Sequence, residues 1–313
     1  MAASQAAEVS NVVKQASPPP AVAADTMDPV EAEYQKLLSN DDAAQAEVDK
    51  WIQENQEFSA KGAGLAKEEL NRRIRQRFDP IRQAYDDFLK RHPDHARAHI
   101  AYGSFLGDLH DDEGAQKQWE RALELDPKNP AVYNNLANLF GHDGPVKKAF
   151  EYYAKAIELN PLEPVYYQNF ATTIYLFRKD AGEFYSITEQ EVFTRALELY
   201  QKALKLDPDN FPLASDLAQS YYGIKPTRTE DALKAWNYAL KIAHDEIERE
   251  GVYVHLARFK LNAGRFDEAR RDLGGVTNLM YLDLKKRVTR SLEEREAQAK
   301  GTNAPASAAE EKK

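Results

Sequence analysis

Between residues 28 and 298 apolar positions recur at intervals of three and four, and nowhere do they alternate with polar ones for long enough to make a strand. That spacing gathers the apolar side chains on one face of a helix and the charged ones on the other, so it predicts an all-α chain. Val30, Tyr34, Leu37 and Leu38 make one stripe, and Val48, Trp51 and Ile52 make another. A third runs through Leu70, Ile74, Phe78, Ile81, Tyr85 and Phe88. Asp79-Pro80 interrupts it as a cap followed by proline at a first helical position, which predicts two helices. A last stripe, Tyr281, Leu284, Val288 and Leu292, lies on a segment whose other side is rich in Lys and Arg. Residues 1–27, with Pro18-Pro19-Pro20, and residues 299–313 read as disordered tails, being too small and polar to bury a face.

The stripes repeat. Leu125-Asp126-Pro127, Leu159-Asn160-Pro161 and Leu206-Asp207-Pro208 each close an amphipathic helix. Pro93, Pro127 and Pro161 are 34 residues apart, and Pro208 follows after 47, one period plus 13. A helix–turn–helix unit of that period cannot bury its apolar face alone and must stack on its neighbours. The segment from Ala96 carries Tyr102, Gly103, Leu106, Ala115, Trp119, Ala122 and Pro127; the one from Pro130 carries Tyr133, Leu136, Ala137, Phe140, Ala149, Tyr153, Ala156 and Pro161. From Pro164 the series is Tyr167, Phe170, Ala171, Ile174, then Ala196, Tyr200, Ala203 and Pro208. These positions resemble the tetratricopeptide-repeat (TPR) family, which sets a large apolar residue, a small one and Tyr on the first helix, Ala, an aromatic and Ala on the second, and Pro at the close. Looser copies follow, with Leu217, Ala218, Tyr221, Trp236 and Ala239, then Tyr253, Leu256, Ala257 and Ala269. Ile81, Tyr85 and Phe88 look like the second helix of a degenerate repeat whose first helix lies near 65–77.

The resemblance implies a right-handed superhelical solenoid of about fifteen helices in stacked antiparallel pairs. Its expected organisation is a tail over 1–27, N-terminal helices over 28–94, and a solenoid over 95–276. The repeats fall at about 96–129, 130–163, 164–210, 211–249 and 250–276, followed by a capping helix over 277–298 and a tail over 299–313. In this family the first helices line a concave groove. The matching positions are Arg97, Asn134, Asn138, Gln168, Thr172, Tyr175, Ser215, Gln219, Tyr222 and Arg258. Amides, hydroxyls and phenols can donate to and accept from a peptide backbone, so this lining suits an extended segment or a helix of another protein. Asn135 and Asn169 could begin an asparagine ladder, which Asp216 breaks; asparagine is also simply common there. Clamps for a chaperone's terminal carboxylate need Lys or Arg at groove positions that here hold Asn134, Asn138, Asn169, Pro212 and Asp216, so that subclass is disfavoured.

Composition narrows the rest. With 42 basic and 51 acidic residues the 313-residue chain carries a formal charge of −9, which argues against a protein built to neutralise nucleic-acid phosphates. Cysteine is absent, which removes disulfides, thiolate metal sites and thiol nucleophiles without choosing a compartment. No segment is apolar over the ~20 residues that a membrane span needs. The start lacks the basic and apolar regions of a secretory leader, which predicts a cytoplasmic protein; an exported, periplasmic chain with its leader removed stays open. His92, His95 and His99 have ligand-like spacing, but His99 falls on a core position and reads better as a packed histidine. Arg72, Arg73, Arg75 and Arg77, and Lys285, Lys286, Arg287 and Arg290, are interleaved with acids and read as solvated helix faces. No phosphate loop, nucleophile elbow or metalloprotease motif is present, so neither catalytic residues nor a cofactor are expected.

The 13-residue insertion in the third repeat is the most individual segment. Thr188 and Glu191 read as a capping box that restarts a helix. Phe184, Tyr185 and Ile187 are too apolar for an idle loop; they either fold back on the turn around Tyr222-Gly223-Ile224 or contact a partner. The expected function is a non-catalytic scaffold or adaptor, monomeric or weakly self-associating, that holds a peptide or helix in its groove. An accessory subunit of a cell-envelope or secretion assembly, and less readily an RNA-binding helical repeat, are the alternatives.

Overall fold

The computed structural model describes residues 28–60 and 62–302; the expectations for 1–27 and for the end of the second tail fall outside them. The described residues form fourteen α-helices, one short 3-10 turn and no strand. They divide into two compact units, up to Pro161 and from Leu162 onward.

The first unit holds α1 (Pro29–Ala60), α2 (Lys67–Arg91), α3 (Ala96–Asp108), α4 (Asp112–Leu125), α5 (Pro130–Asp143) and α6 (Val146–Leu159). They pair α1 with α2, α3 with α4 and α5 with α6. The break expected at Asp79-Pro80 does not occur, and α2 runs through Pro80 as one helix of 25 residues. Proline removes one backbone donor inside a helix and disfavours the helical conformation before it. Against that local cost stands a buried seam: Ile81, Tyr85, Phe88 and Leu89 of α2 face Tyr34, Leu37, Ala44 and Val48, all on the single 32-residue α1. The Tyr85 hydroxyl donates to buried Asp41 at 2.7 Å and fixes the register of the pair. The expected helix near 65–77 is therefore the front of α2, and α1 is its partner.

The second unit holds α7 (Pro164–Leu176), α8 (Arg178–Tyr185), α9 (Glu189–Leu206), α10 (Phe211–Ser220), α11 (Thr229–Ile242), α12 (Glu246–Asn262), α13 (Phe266–Gly274) and α14 (Leu282–Thr302). The insertion, expected as an enlarged turn, is the eight-residue helix α8, ended by Ser186 in the left-handed region (φ 55°). The Thr188–Glu191 capping box then starts α9. α14 extends past the expected boundary at 298; its Val288 and Leu292 close over Val254, Ala257, Leu261, Ala269, Leu273 and Val276 of the last pair.

Close pairing rests on small residues. Ala137, Ala171, Ala218 and Ala257 on first helices, and Ala115, Ala122, Ala149, Ala156, Ala196, Ala203, Ala232, Ala239 and Ala269 on second helices, are at most 1% exposed. A methyl at these crossings lets backbones approach while the aromatic residues fill the space beside them. Gly103 goes one step further, since a Cβ there would lie 2.5 Å from Trp119 Nε1. The indole of Trp119 takes that space, and its Nε1 donates to the Ile100 carbonyl at 3.2 Å.

Candidate functional site

Repeat entry is set by polar caps: Asn129 accepts from Ala131 N, Asn210 from Leu213 N and Asp245 from Glu248 N. Each cap turns the chain from the preceding turn into a first helix at a fixed point, and so fixes which side chains share its outer face. The expected site residues do not all meet that face. Asn134 is wholly buried, so it belongs to the interior of the first unit rather than to an accessible lining. Helical periodicity assigns it a side of α5 but not a depth. Arg97 is exposed, yet its guanidinium pairs with Glu31 of α1 and lies 5.1 Å from the Tyr34 ring, which commits it to the α1–α3 packing. Asn138 remains half-buried, with its Oδ1 accepting from the Tyr153 hydroxyl at 2.6 Å.

In the second unit Tyr222 and Arg258 meet directly, while Gln168, Thr172 and Tyr175 contact residues outside the expected set. Gln168 Nε2 on α7 donates to Asp216 on α10 at 2.9 Å. Thr172 Oγ1 and the Tyr200 hydroxyl lie 2.7 Å apart. Burial pushes the Tyr200 phenol well above its ordinary range, so it stays protonated. Tyr175 stands against Gly223, where a Cβ would collide with its hydroxyl, and burial raises its phenol. Ser215 is half-buried and Gln219 exposed; neither side chain makes a hydrogen bond among the described residues. Tyr222 is held from α12, with its hydroxyl 2.9 Å from His255 Nδ1 and its ring stacked 4.5 Å from Phe259. Burial lifts its phenol to about 12. The guanidinium of Arg258 lies over the same ring at 4.8 Å.

His255 is the residue that sequence reasoning missed. It occupies the repeat position of Asn135, Asn169 and Asp216, and aligning the fifth repeat on that column would have exposed it. Its imidazole stacks on Trp236 at 4.1 Å and 5°. Burial, with the Arg258 charge adding to it, holds its pKa down at about 4. Trp236 is the counterpart of Trp119, but its Nε1 is buried with no acceptor among the described residues. Ala218 stands where Gly103 makes room for Trp119, and the methyl excludes the position from which an indole reaches a first-helix carbonyl.

The insertion residues are half-buried. Phe184 and Tyr185 meet edge to face at 4.8 Å, and Arg195 of α9 lies 4.0 Å from the Tyr185 ring. Ile187 lines an open cleft of about 900 Å³ together with Leu176, Gly182, Ser186, Thr188 and Glu189. The turn after α10 is fastened to this repeat by Gln190, whose amide donates to the Lys225 carbonyl at 2.5 Å. His99 is a packed histidine, as expected from its position, with ring nitrogens 2.7 Å from Gln118 Oε1 and 2.9 Å from the Pro93 carbonyl. Among the described residues no cluster of three metal-ligating side chains forms, and no helix is long and apolar enough to cross a membrane.

Comparison with known sequences matches two repeat families, one described as TPR repeat over residues 108–144 and one as tetratricopeptide repeat over 130–161. Residues 108–161 carry tetratricopeptide repeats. No curated protein sequence matches it. Solved structures share the TPR solenoid fold at low identity. PilW, a type IV pilus biogenesis factor, is 15% identical at a TM-score of 0.53, over 77% of this chain and 98% of its own. The C-terminal part of a TPR protein from Cytophaga hutchinsonii is 14% identical at 0.53, over 82% and 98%. Pseudomonas aeruginosa pilF is 18% identical at 0.50, over 82% and 99%. TPR folds are in general non-catalytic protein-interaction scaffolds, and this chain has their helix pairs and packing residues.

Proposed function

We propose that this chain is a non-catalytic scaffold whose first helices capture an extended segment or helix of another polypeptide, separately within each unit. The observation that carries the reading is the way second-helix tyrosines hold first-helix polar groups. Tyr153 fixes Asn138 and Tyr200 fixes Thr172, so acceptors and donors are oriented before a ligand arrives. Pre-orientation lowers the ordering cost of binding, and amide and hydroxyl groups complement a peptide backbone without demanding one sequence. Gln219 and Ser215 add side chains with unused hydrogen-bonding capacity.

A peptide array probed with the full chain tests this, with Asn138→Ala and Thr172→Ala as comparison proteins. Captured peptides should lose about tenfold in affinity with either variant, the loss of one hydrogen bond in a desolvated contact. An array on which no peptide is retained, or on which both variants bind as the parent does, refutes the groove. An accessory role in an envelope assembly would use the same chemistry, and the fold likeness to pilF and PilW supports considering it. Affinity capture from the source cells with mass spectrometry distinguishes such a partner from a cytoplasmic one.

A further inference from the structure

The α1–α2 pair changes character along its length. Tyr34, Leu37, Ala44 and Val48 on α1 and Ile81, Tyr85, Phe88 and Leu89 on α2 are buried, but among the described residues none between 49 and 80 is. Residues 49–60 of α1 and 67–80 of α2 thus form an arm roughly 20 Å long beyond the last buried position, at about 1.5 Å per helical residue. At its base Phe78 meets Phe105 of α3 edge to face at 5.6 Å. Further out, Trp51, Ile52, Leu70 and Ile74 continue the apolar stripes but stay half-buried, and Phe58 and Leu65 at the tip are 52% and 45% exposed. The arm is nevertheless fixed. Arg73 lies 3.9 Å from the Trp51 ring, Arg77 bridges to Glu47 at 2.8 Å, and Asn55 Oδ1 accepts from Leu65 N at 2.6 Å. Two helices alone bury only the stripe between them, so the flanks of such a face call for a further layer.

Charge says which layer fits. Residues 49–60 hold three acids and one lysine, a net −2, and residues 67–80 hold five basic residues and three acids, a net +2. The arm is therefore neutral in a chain of net −9, with opposite signs on its two helices. Among the described residues Arg77–Glu47 is the one ion pair that crosses between those helices, and Asp49, Glu57, Lys67 and Arg75 make none. A two-fold axis sets α1 of one arm beside α2 of the other twice over, because an isologous contact is made in both directions. Acidic then meets basic both times, whereas a partner of one sign would match one helix and oppose the other.

We propose that two copies of this chain associate through their α1–α2 arms, laid antiparallel about a two-fold axis as a four-helix bundle. The apolar stripe of each arm, with Phe58 and Leu65 at its tip, closes over that of the other, and the acidic helix of each lies along the basic helix of its mate. The contact uses no residue of the proposed lining and stands independently of peptide capture.

Analytical ultracentrifugation of the full chain tests this with two charge-reversed variants. Glu54→Lys with Glu57→Lys turns the α1 half of the arm from −2 to +2, and Lys67→Glu with Arg75→Glu turns the α2 half from +2 to −2. All four side chains are exposed, and only Glu54 gives up an ion pair, the surface one to Lys50. The parent should show a monomer–dimer equilibrium with a Kd no weaker than about 100 μM. Each variant alone carries two helices of like sign and should dimerise about tenfold more weakly or worse. Mixed in equal amounts, the two should form a heterodimer of near-parent affinity, since every basic helix then faces an acidic one. Phe58→Asn, which removes apolar surface without adding charge, should also weaken the parent dimer by about tenfold. Circular dichroism checks that the variants keep the parent's helix content; if a double variant does not, Glu57→Lys and Arg75→Glu singly take its place and must show the same mutual rescue. A parent that stays monomeric at and beyond that concentration, a dimer indifferent to both charge variants, or variants that fail to rescue each other overturns the proposal. A full chain that is monomeric but dimerises once residues 1–27 are removed also overturns it, and names that segment as the layer over the arm.

Discussion

His255 makes stability depend on pH in a way that can be calculated. Its ordinary pKa is 6.5 and its folded value about 4, because burial and Arg258 disfavour the charged ring. A depressed histidine contributes stability that is complete above 6.5 and is lost as pH falls through the interval down to 4, since the unfolded chain takes up the proton first. One pKa unit corresponds to about 1.4 kcal/mol, so between pH 7.5 and pH 5 this residue alone should remove about 2 kcal/mol. Replacing it with Gln, which cannot titrate, removes that slope but also the stack on Trp236 and the Tyr222 contact. The variant should therefore be less stable at pH 7.5 and should lose about 2 kcal/mol less than the parent on going to pH 5. Urea unfolding followed by far-ultraviolet circular dichroism at the two pH values measures the difference, and imidazole resonances give the pKa directly. A His255 that titrates near 6.5, or a Gln variant with the same acid slope as the parent, would refute the account of burial at this site.

Three further expectations follow from the packing. Tyr85→Phe leaves buried Asp41 without its 2.7 Å donor, and loss of a hydrogen bond to a charged group should cost about 2 kcal/mol in urea unfolding. Trp119→Phe surrenders volume and a hydrogen bond, whereas Trp236→Phe surrenders volume but no hydrogen bond and keeps an aromatic face for His255, so the former should cost about 1 kcal/mol more; equal costs would contradict the orphaned Nε1. Gly103→Ala should destabilise by about 1–3 kcal/mol through its collision with Trp119. Adding Trp119→Tyr should recover most of that, because Ala137 with Tyr153 and Ala171 with Tyr200 are the same pairing elsewhere in the chain.

The repeat architecture could be read from the chain because its determinants are local and periodic. Alanines at fixed offsets seal the crossings, prolines stop the second helices, and Asn129, Asn210 and Asp245 start the first ones. Pro80 was misread because its effect on the backbone is local, whereas the seam from Ile81 to Phe88 that outweighs it faces a helix some forty residues away in sequence. For the proposed lining the sequence offers columns but not depth: Asn134 is inside, and Arg97 is claimed by Glu31. His255 stayed invisible for a related reason. A lone histidine carries little signal until it is placed in the column of Asn135, Asn169 and Asp216, and until Trp236 is found lying flat against it.

The tyrosines at positions 153 and 200 have a bearing on how such a protein changes partners. Each ring is sealed between helices while its hydroxyl ends on a residue of the proposed lining, so under the capture proposal one side chain would answer to folding and to recognition at once. Selection acting on the core can therefore retune the ligand surface from behind, without touching any residue that a ligand meets. A library that randomises only the surface columns would leave these supporting tyrosines, and whatever they orient, unexplored.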